Sequence, residues 1–465
     1  VVTKERQGKT LALADFPKDF LWGASTSAYQ YEGAYNTDGK GLSVQDVATP
    51  PAGTADFKIT SDGYHHYPED ISLYGEMGFK SYRFSIAWTR IYPNGAGEVN
   101  QAGLDYYQDV LDKLKAQHIE PVATLFHFDL PAALQKQGGW ANRATIDAFV
   151  QYAKTVLDHF SPQITYYQTI NEQNMLFAGM LAAALKGKMT LQEVAQANHN
   201  MFVAAAKVMI YAHEHHPEIK IGPAPNLVAV YPLTPRPEDA LAANVYDSVR
   251  NLLFGDVTIL GHYNHVAWHL FEQFHATPEI AADDMATIAA AHPDLLYFNY
   301  YNTETIRAAE PGSTLPFKKV INPFLDQTEF GWDLDPAGFR LTLRQLYDRY
   351  NLPMIITENG LGAHDTLTAD GKVHDPYRIK YLNDHIYQMR LAIGEGIPVI
   401  GYHVWSAIDL VSTHEGFTKR YGFIYVDRGE TNDSGTLKRY KKDSFDWYKD
   451  VIAHNGDNVT GPVKK

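Results

Sequence analysis

Two short apolar runs of this chain each close on a glutamate: residues 165–172 (TYYQTINE) on Glu172 and residues 353–358 (PMIITE) on Glu358. Both runs are rich in β-branched and aromatic residues, the make-up of buried strands. A carboxylate at the end of such a strand is costly to desolvate unless it faces a cleft. Two carboxylates at one cleft are equipped to break a glycosidic bond. One, protonated, donates to the leaving oxygen, and the other, ionised, attacks the anomeric carbon. Arg83 and the hydroxyl of Tyr301 are candidates to hold one carboxylate ionised. This favours Glu358 as nucleophile and Glu172 as acid/base, an order that the residues by themselves leave open.

The elements that must position this pair follow from the apolar pattern. Strand-like runs fall at 20–28, 81–86, 120–128, 165–172, 220–226, 295–301, 353–359 and 398–405. Amphipathic stretches lie between them. In 103–118, Leu104, Tyr107, Val110, Leu111 and Leu114 share a helical face; in 145–160, Ile146, Phe149, Val150, Ala153, Val156, Leu157 and Phe160 do the same, and Pro162 ends the run. Asp375-Pro376 is an N-cap and first-turn pair for a helix reaching about residue 394. Eight strands alternating with helices predict a (β/α)8 barrel, one domain spanning residues 1–465. A doubly wound sheet is the alternative, but no Gly-rich phosphate turn follows the first strand. The chain exceeds the ~250 residues usual for the barrel. The surplus, 29–67, 173–190, 302–334 and 410–437, is expected as long loops after strand ends, where barrel active sites are built.

On that barrel, polar residues gather at the strand C-termini: Gln30, Arg83, His127, Asn171 with Glu172, Asn299 with Tyr301, Glu358 and Trp405. Each taken alone reads as a satisfied core polar group; their joint placement on one rim reads as a site. The net charge of −14 argues against a nucleic-acid or anionic-membrane surface. The absence of cysteine removes disulfides, thiolate metal sites and a cysteine nucleophile. Residues 1–17 show no apolar leader, which favours the cytoplasm.

These motifs resemble glycoside hydrolase family 1, the β-glucosidase family, from about Phe16 to Tyr448. The matching stretches are FLWGASTSAYQYEGA (20–34), YRFSIAWTRIYP (82–93), HFDLP (127–131), TINE (169–172), NYY (299–301), ITENG (356–360) and Trp405-Ser406. The resemblance implies a retaining mechanism with Glu172 as acid/base and Glu358 as nucleophile, the latter oriented by Tyr301, with Arg83 and Asn299 in the same group. It implies Gln30, His127, Asn171 and Trp405 as sugar ligands and Trp332 as a platform for the aglycone.

The chain departs from the family pattern twice. Gln173 stands where proline usually follows the acid/base. After strand 8, ordinary β-glucosidases carry Asp-Asn-Phe-Glu-Trp, whose glutamate binds the 4- and 6-hydroxyls. Here the run is Asp409-Leu410-Val411-Ser412-Thr413, with Ser412 at the glutamate's place. Losing a carboxylate where O6 sits suits a 6-phosphate, because like charges repel. Lys419 and Tyr421 follow within STHEGFTKRYGF and add an ammonium and a hydroxyl for phosphate oxygens. The Ser…Lys-x-Tyr spacing resembles the 6-phospho-β-glycosidase branch. Galactoside enzymes of that branch carry Trp directly after the serine; Thr413 here favours 6-phospho-β-glucosides. The twenty histidines, His65-His66, His403 and His414 among them, raise a metal-dependent hydrolase, but the first strand (FLWGAS) lacks the His-x-His such barrels use. His65-His66 are expected to hydrogen-bond in the first long loop.

The expectation is a 6-phospho-β-glucosidase needing neither metal nor cofactor. Its partner is a small-molecule phosphorylated β-glucoside, not nucleic acid or membrane, and homo-oligomer formation is left open. The alternatives are a 6-phospho-β-galactosidase, a β-glucosidase for unphosphorylated sugars, or a non-catalytic phospho-sugar-binding protein.

Overall fold

A computed structural model describes residues 13–464; residues 1–12, part of the segment searched for a leader, lie outside the described residues. Every predicted strand forms. The strands of the main sheet are β1 (Leu21–Ser25), β2 (Ser81–Ser85), β3 (Glu120–Phe126), β4 (Tyr166–Asn171), β5 (Lys220–Ala224), β6 (Asn226–Pro232), β7 (Leu296–Ala308), β8 (Phe317–Val320), β9 (Met354–Glu358) and β10 (Val399–Trp405). All but β8 run parallel, in the order β5-β4-β3-β2-β1-β10-β9-β7-β6. β5 and β6 are one stave broken at Pro225. Proline has no N–H for a ladder, but its carbonyl accepts from Asn299 N at 3.0 Å, so the first half pairs with β4, the second with β7, and the barrel closes. The fold is a (β/α)8 barrel.

Helices Gln101–Ala116 and Ala144–Phe160 fill the predicted positions and bury the predicted apolar faces, with Val150 partly covered. At about 1.5–3 kcal/mol per large aliphatic or aromatic side chain buried, such faces hold the outer ring to the barrel. The helix Pro376–Gly394 starts after Asp375, as the Asp-Pro pair predicts. The Asp375 carboxylate, however, serves other partners: Arg378 Nη1 at 2.6 Å, and Ser444 N and Oγ at 2.9 and 2.5 Å.

Three loop expectations are corrected. The stretch 173–190 is mostly helix, Gln173–Leu185. β7 runs on into 302–334 as far as Ala308, and β8 folds back on it antiparallel. A strand extended beyond the barrel finds ladder partners in its own return segment. His65 and His66 sit in the first turn of the helix Gly63–Met77, where His65 Nδ1 lies 2.7 Å from Asp62 Oδ1. Among the described residues no helix is long and apolar enough to cross a membrane.

Candidate active site

Glu358 is the last residue of β9 and is buried. Arg83, inward-facing on β2, donates from Nη1 to Glu358 Oε1 at 2.6 Å, and the Tyr301 hydroxyl donates to Oε2 at 2.5 Å. The guanidinium is itself held at its other edges. Nε donates to Thr124 Oγ1 and Gln168 Oε1, both at 2.8 Å, and Nη2 to Asn171 Oδ1 at 2.7 Å. Gln168 passes the tie on to Thr357 Oγ1 at 2.8 Å. Burial raises the Glu358 carboxyl to about 7; the Glu172 charge adds to the rise, while Arg83 and Tyr301 oppose it.

Glu172 follows β4 immediately, with φ 46° and ψ 51° at the start of the helix Gln173–Leu185. A non-glycine residue in this left-handed region costs of order 1 kcal/mol, a strain that recurs at functional sites. Its Oε1 accepts from Asn299 Nδ2 and Asn226 Nδ2, each at 2.9 Å. Asn299 was expected beside Glu358. The β7–β9 register does pair its backbone with Glu358, but its side-chain amide donates to Glu172, and at 3.2 Å to Asn171, while its Oδ1 accepts from Thr357 Oγ1. Asn226 is held in turn by Arg250, whose Nη2 donates to Oδ1 and Nη1 to the main-chain oxygen, both at 2.7 Å. Gln173, at the proline position, donates to Asn198 Oδ1 at 2.8 Å on a neighbouring helix.

The expected sugar ligands surround this pair. Asn171 Nδ2 donates to His127 Nε2 at 3.2 Å, so His127 carries its proton on Nδ1, which is buried and has no partner among the described residues. Burial and Arg83 hold the His127 pKa well below the usual range and keep the ring neutral. The ring stacks on Trp405, centroids 5.9 Å apart. Gln30, in the short helix Ala28–Tyr31 after β1, donates from Nε2 to Val411 O at 2.9 Å and ties that turn to the loop after β10. Trp332 packs edge-on against Tyr301 at 5.4 Å and borders a cleft of about 430 Å³ that Asn226, Arg250 and Met175 also line. Neither carboxylate lines this cleft, but two residues that do, Asn226 and Tyr301, hydrogen-bond Glu172 and Glu358.

The loop after β10 brings Ser412, Lys419 and Tyr421 to the same rim. Ser412 N donates to Gly416 O at 2.9 Å, and Gly416, at φ 57°, leaves no room for a Cβ, which would lie 2.0 Å from Glu430 Oε2. Lys419 is buried among aromatic faces, with Nζ 3.7 Å from the Trp332 centroid, 4.8 Å from Phe330 and 5.6 Å from Tyr421. Its stem lies against Gly362, where a Cβ would come within 2.6 Å of Cγ and Cε. Burial lowers the Lys419 ammonium to about 8, against the opposing pull of Glu415. Burial pushes the Tyr421 phenol well up, so it remains a hydrogen-bond donor. The Tyr421 and Tyr301 rings are 6.5 Å apart, which links this loop to the Glu358 side. Thr413 is exposed and sits beside the buried Tyr29. His414 is exposed too, whereas His403 is buried and bonded to Ser81 Oγ at 2.8 Å.

Residues 12–457 match the family model of glycosyl hydrolase family 1. The chain belongs to glycosyl hydrolase family 1. As a family 1 chain it is a glycoside hydrolase, and its similarity to other members runs end to end. A 6-phospho-beta-glucosidase of Clostridium longisporum is 44% identical, over 96% of this chain and 98% of its own. An aryl-phospho-beta-D-glucosidase of Bacillus subtilis is 42% identical over the same shares. The family 1 β-glucosidase of Thermotoga maritima has a structure that superposes with a TM-score of 0.88 at 34% identity, covering 96% of this chain and 99% of that one.

Sequence reasoning missed Asn226 and Arg250 at the Glu172 carboxylate, and Thr124, Gln168 and Thr357 beneath Arg83. A signal for Asn226 existed. It closes the strand-like run 220–226, the one predicted stave to which no site residue was given. Thr124, Gln168 and Thr357 lie inside strands and Arg250 in the helical turn Ser248–Leu252, where a polar residue carries no mark of what it faces.

Proposed function

We propose that this family 1 hydrolase acts, as a single catalytic unit, on 6-phospho-β-D-glucosides such as phosphorylated cellobiose or phosphorylated aryl glucosides. The products are glucose 6-phosphate and the aglycone, with the anomeric configuration retained. The observation that carries the substrate is Lys419: a nearly buried ammonium beside Ser412 and Tyr421, on the rim that holds the two glutamates. A buried cation needs an anionic partner, and a phosphate supplies one.

Of the two carboxyls, Glu358 receives a guanidinium and a phenol, and both favour its ionised form against the burial that raises it. In the first step a Glu358 oxygen attacks the anomeric carbon while the bond to the aglycone oxygen breaks and Glu172 gives that oxygen its proton. Asn226 and Asn299 aim the Glu172 carboxyl during this transfer. In the second step water attacks the glycosyl–Glu358 ester, Glu172 takes the water proton, and Glu358 departs as carboxylate. His127 Nδ1, Asn171, Gln30 and Trp405 bind the sugar, and the cleft beside Trp332 takes the aglycone. Such substrates arise when a sugar is phosphorylated during uptake, which places the reaction in the cytoplasm.

The test is the rate on an aryl β-glucoside with and without its 6-phosphate. A preference for the phosphorylated form is expected; equal or higher kcat/KM on the unphosphorylated form overturns the proposal. Exposed Thr413 favours glucosides, and a higher kcat/KM on p-nitrophenyl 6-phospho-β-galactoside than on the glucoside would reverse that choice.

A further inference from the structure

Glu415 stands in the phosphate loop in a position that no part of the reaction above uses. Ser412 Oγ donates to Glu415 Oε2 at 2.7 Å, and Lys419 Nζ lies 3.7 Å from Oε1. One carboxylate thus spans two of the three groups assigned to the substrate's phosphate. Tyr421 stands beside the same ammonium, 5.6 Å from Nζ to its ring centroid.

We propose that Glu415 is an internal anion that occupies the phosphate site and must be displaced when a phosphorylated substrate binds. The proposal rests on the phosphate-binding reading of Ser412, Lys419 and Tyr421.

Three physical points support it. First, a serine hydroxyl has one hydrogen to donate, so Ser412 Oγ serves Glu415 or a phosphate oxygen but not both. Second, a carboxylate and a phosphate around one ammonium repel each other at contact range, and the side chain free to leave is Glu415. Its side chain is 36% exposed, against 2% for that of Lys419. Third, the backbone beneath it is pinned: Ser412 N bonds Gly416 O, and Thr418 N and Oγ1 donate to Glu430 at 2.6 and 2.8 Å. Side-chain rotation at Glu415 can therefore clear the site while the loop keeps its shape.

The exchange has a function. Without ligand, the buried ammonium keeps an ion-pair partner and the Ser412 hydroxyl an acceptor, so neither is stranded. With a phosphorylated substrate, the more highly charged phosphate wins both contacts. After hydrolysis, the returning carboxylate competes with the phosphate of glucose 6-phosphate and speeds product release. An uncharged 6-hydroxyl cannot displace the carboxylate, so Glu415 also closes the site to unphosphorylated sugars. The cost of this competition is a weaker apparent affinity, lowered by the fraction of molecules in which the site is open.

The test compares wild type with Glu415→Gln and Glu415→Ala on a 6-phospho aryl β-glucoside, with glucose 6-phosphate and inorganic phosphate as competitive inhibitors. Glutamine keeps the size of the side chain and removes the charge; alanine removes the competitor altogether. Relief of the competition is expected to lower KM and both inhibition constants by about tenfold, the worth of one charge-assisted hydrogen bond. The larger change is expected in alanine. Unchanged or raised constants in both variants, with wild-type melting temperatures, would make Glu415 a positioning residue for Ser412 and Lys419 and overturn the proposal. If instead wild type shows neither preference for the phosphorylated glucoside nor inhibition by the two phosphates, the phosphate reading falls and this proposal with it.

Discussion

The floor of the site and the loop after β10 hold charge in opposite ways. Beneath the carboxylates, Arg83 alone makes bonds to Thr124, Gln168, Asn171 and Glu358, all from residues in or beside strands of a closed barrel. In the loop, Lys419 has one ion pair, at 3.7 Å, and otherwise faces aromatic rings. The floor is saturated by the protein itself, so its geometry is set before substrate arrives, as a reaction step requires. Lys419, unlike its neighbour Arg420, has a partly exposed carboxylate as its ion-pair partner, so its contact can be exchanged for that of a ligand. On the proposed reading, chemistry sits where the protein completes its own hydrogen bonds and selection where a partner can be exchanged.

The sharpest way to break this contrast is Glu358→Ala. It should abolish turnover, by about 10⁴-fold or more in kcat, and azide should restore it with formation of the α-glycosyl azide. If that product comes from Glu172→Ala instead, the two roles are reversed. On the loop side, Lys419→Ala should act on binding. KM for the phosphorylated aryl glucoside should rise by roughly 10²-fold, while kcat/KM for the unphosphorylated one changes little. Equal losses on both substrates would move Lys419 out of the phosphate site.

A smaller effect tests the floor through pH. Glu358 must lose its proton before it attacks, so kcat/KM should rise with pH through a pKa that burial has lifted toward about 7. The Tyr301 hydroxyl lowers that pKa, so Tyr301→Phe should move the acid limb to higher pH and cost about tenfold at neutral pH. An unmoved limb would mean that the limb reports a group other than Glu358. The smallest effect is at the exposed edge of the loop. Thr413→Trp should shift the glucoside-to-galactoside ratio toward galactoside by ~1–3 kcal/mol, read as relative kcat/KM on the two 6-phosphates.

The barrel was legible because its signals are local. Alternation and β-branched content mark Met354–Glu358 as a strand, and the spacing of Leu104, Tyr107, Val110, Leu111 and Leu114 marks a helix face, whatever lies around them. The strand ends were legible for the same reason, and with them most of the rim residues. What was not legible depends on register. Asn299 lies two residues from Tyr301 on one strand, yet one amide serves Glu172 and the other side chain's hydroxyl serves Glu358. Pro225 divides one stave between two neighbours, a break that the run 220–226 does not announce.

The sequence alone determined the residue types behind the proposed reaction and substrate: two strand-end glutamates, and a serine, a lysine and a tyrosine after strand 8 in place of a third carboxylate. Tertiary structure alone decided which donors meet which carboxylate, and that Glu415 stands between Ser412 and Lys419. The physical reason is range. Propensity and burial act over a few residues and leave their mark in the chain, whereas a hydrogen bond between residues 275 positions apart, such as Arg83 to Glu358, exists only once the barrel has closed.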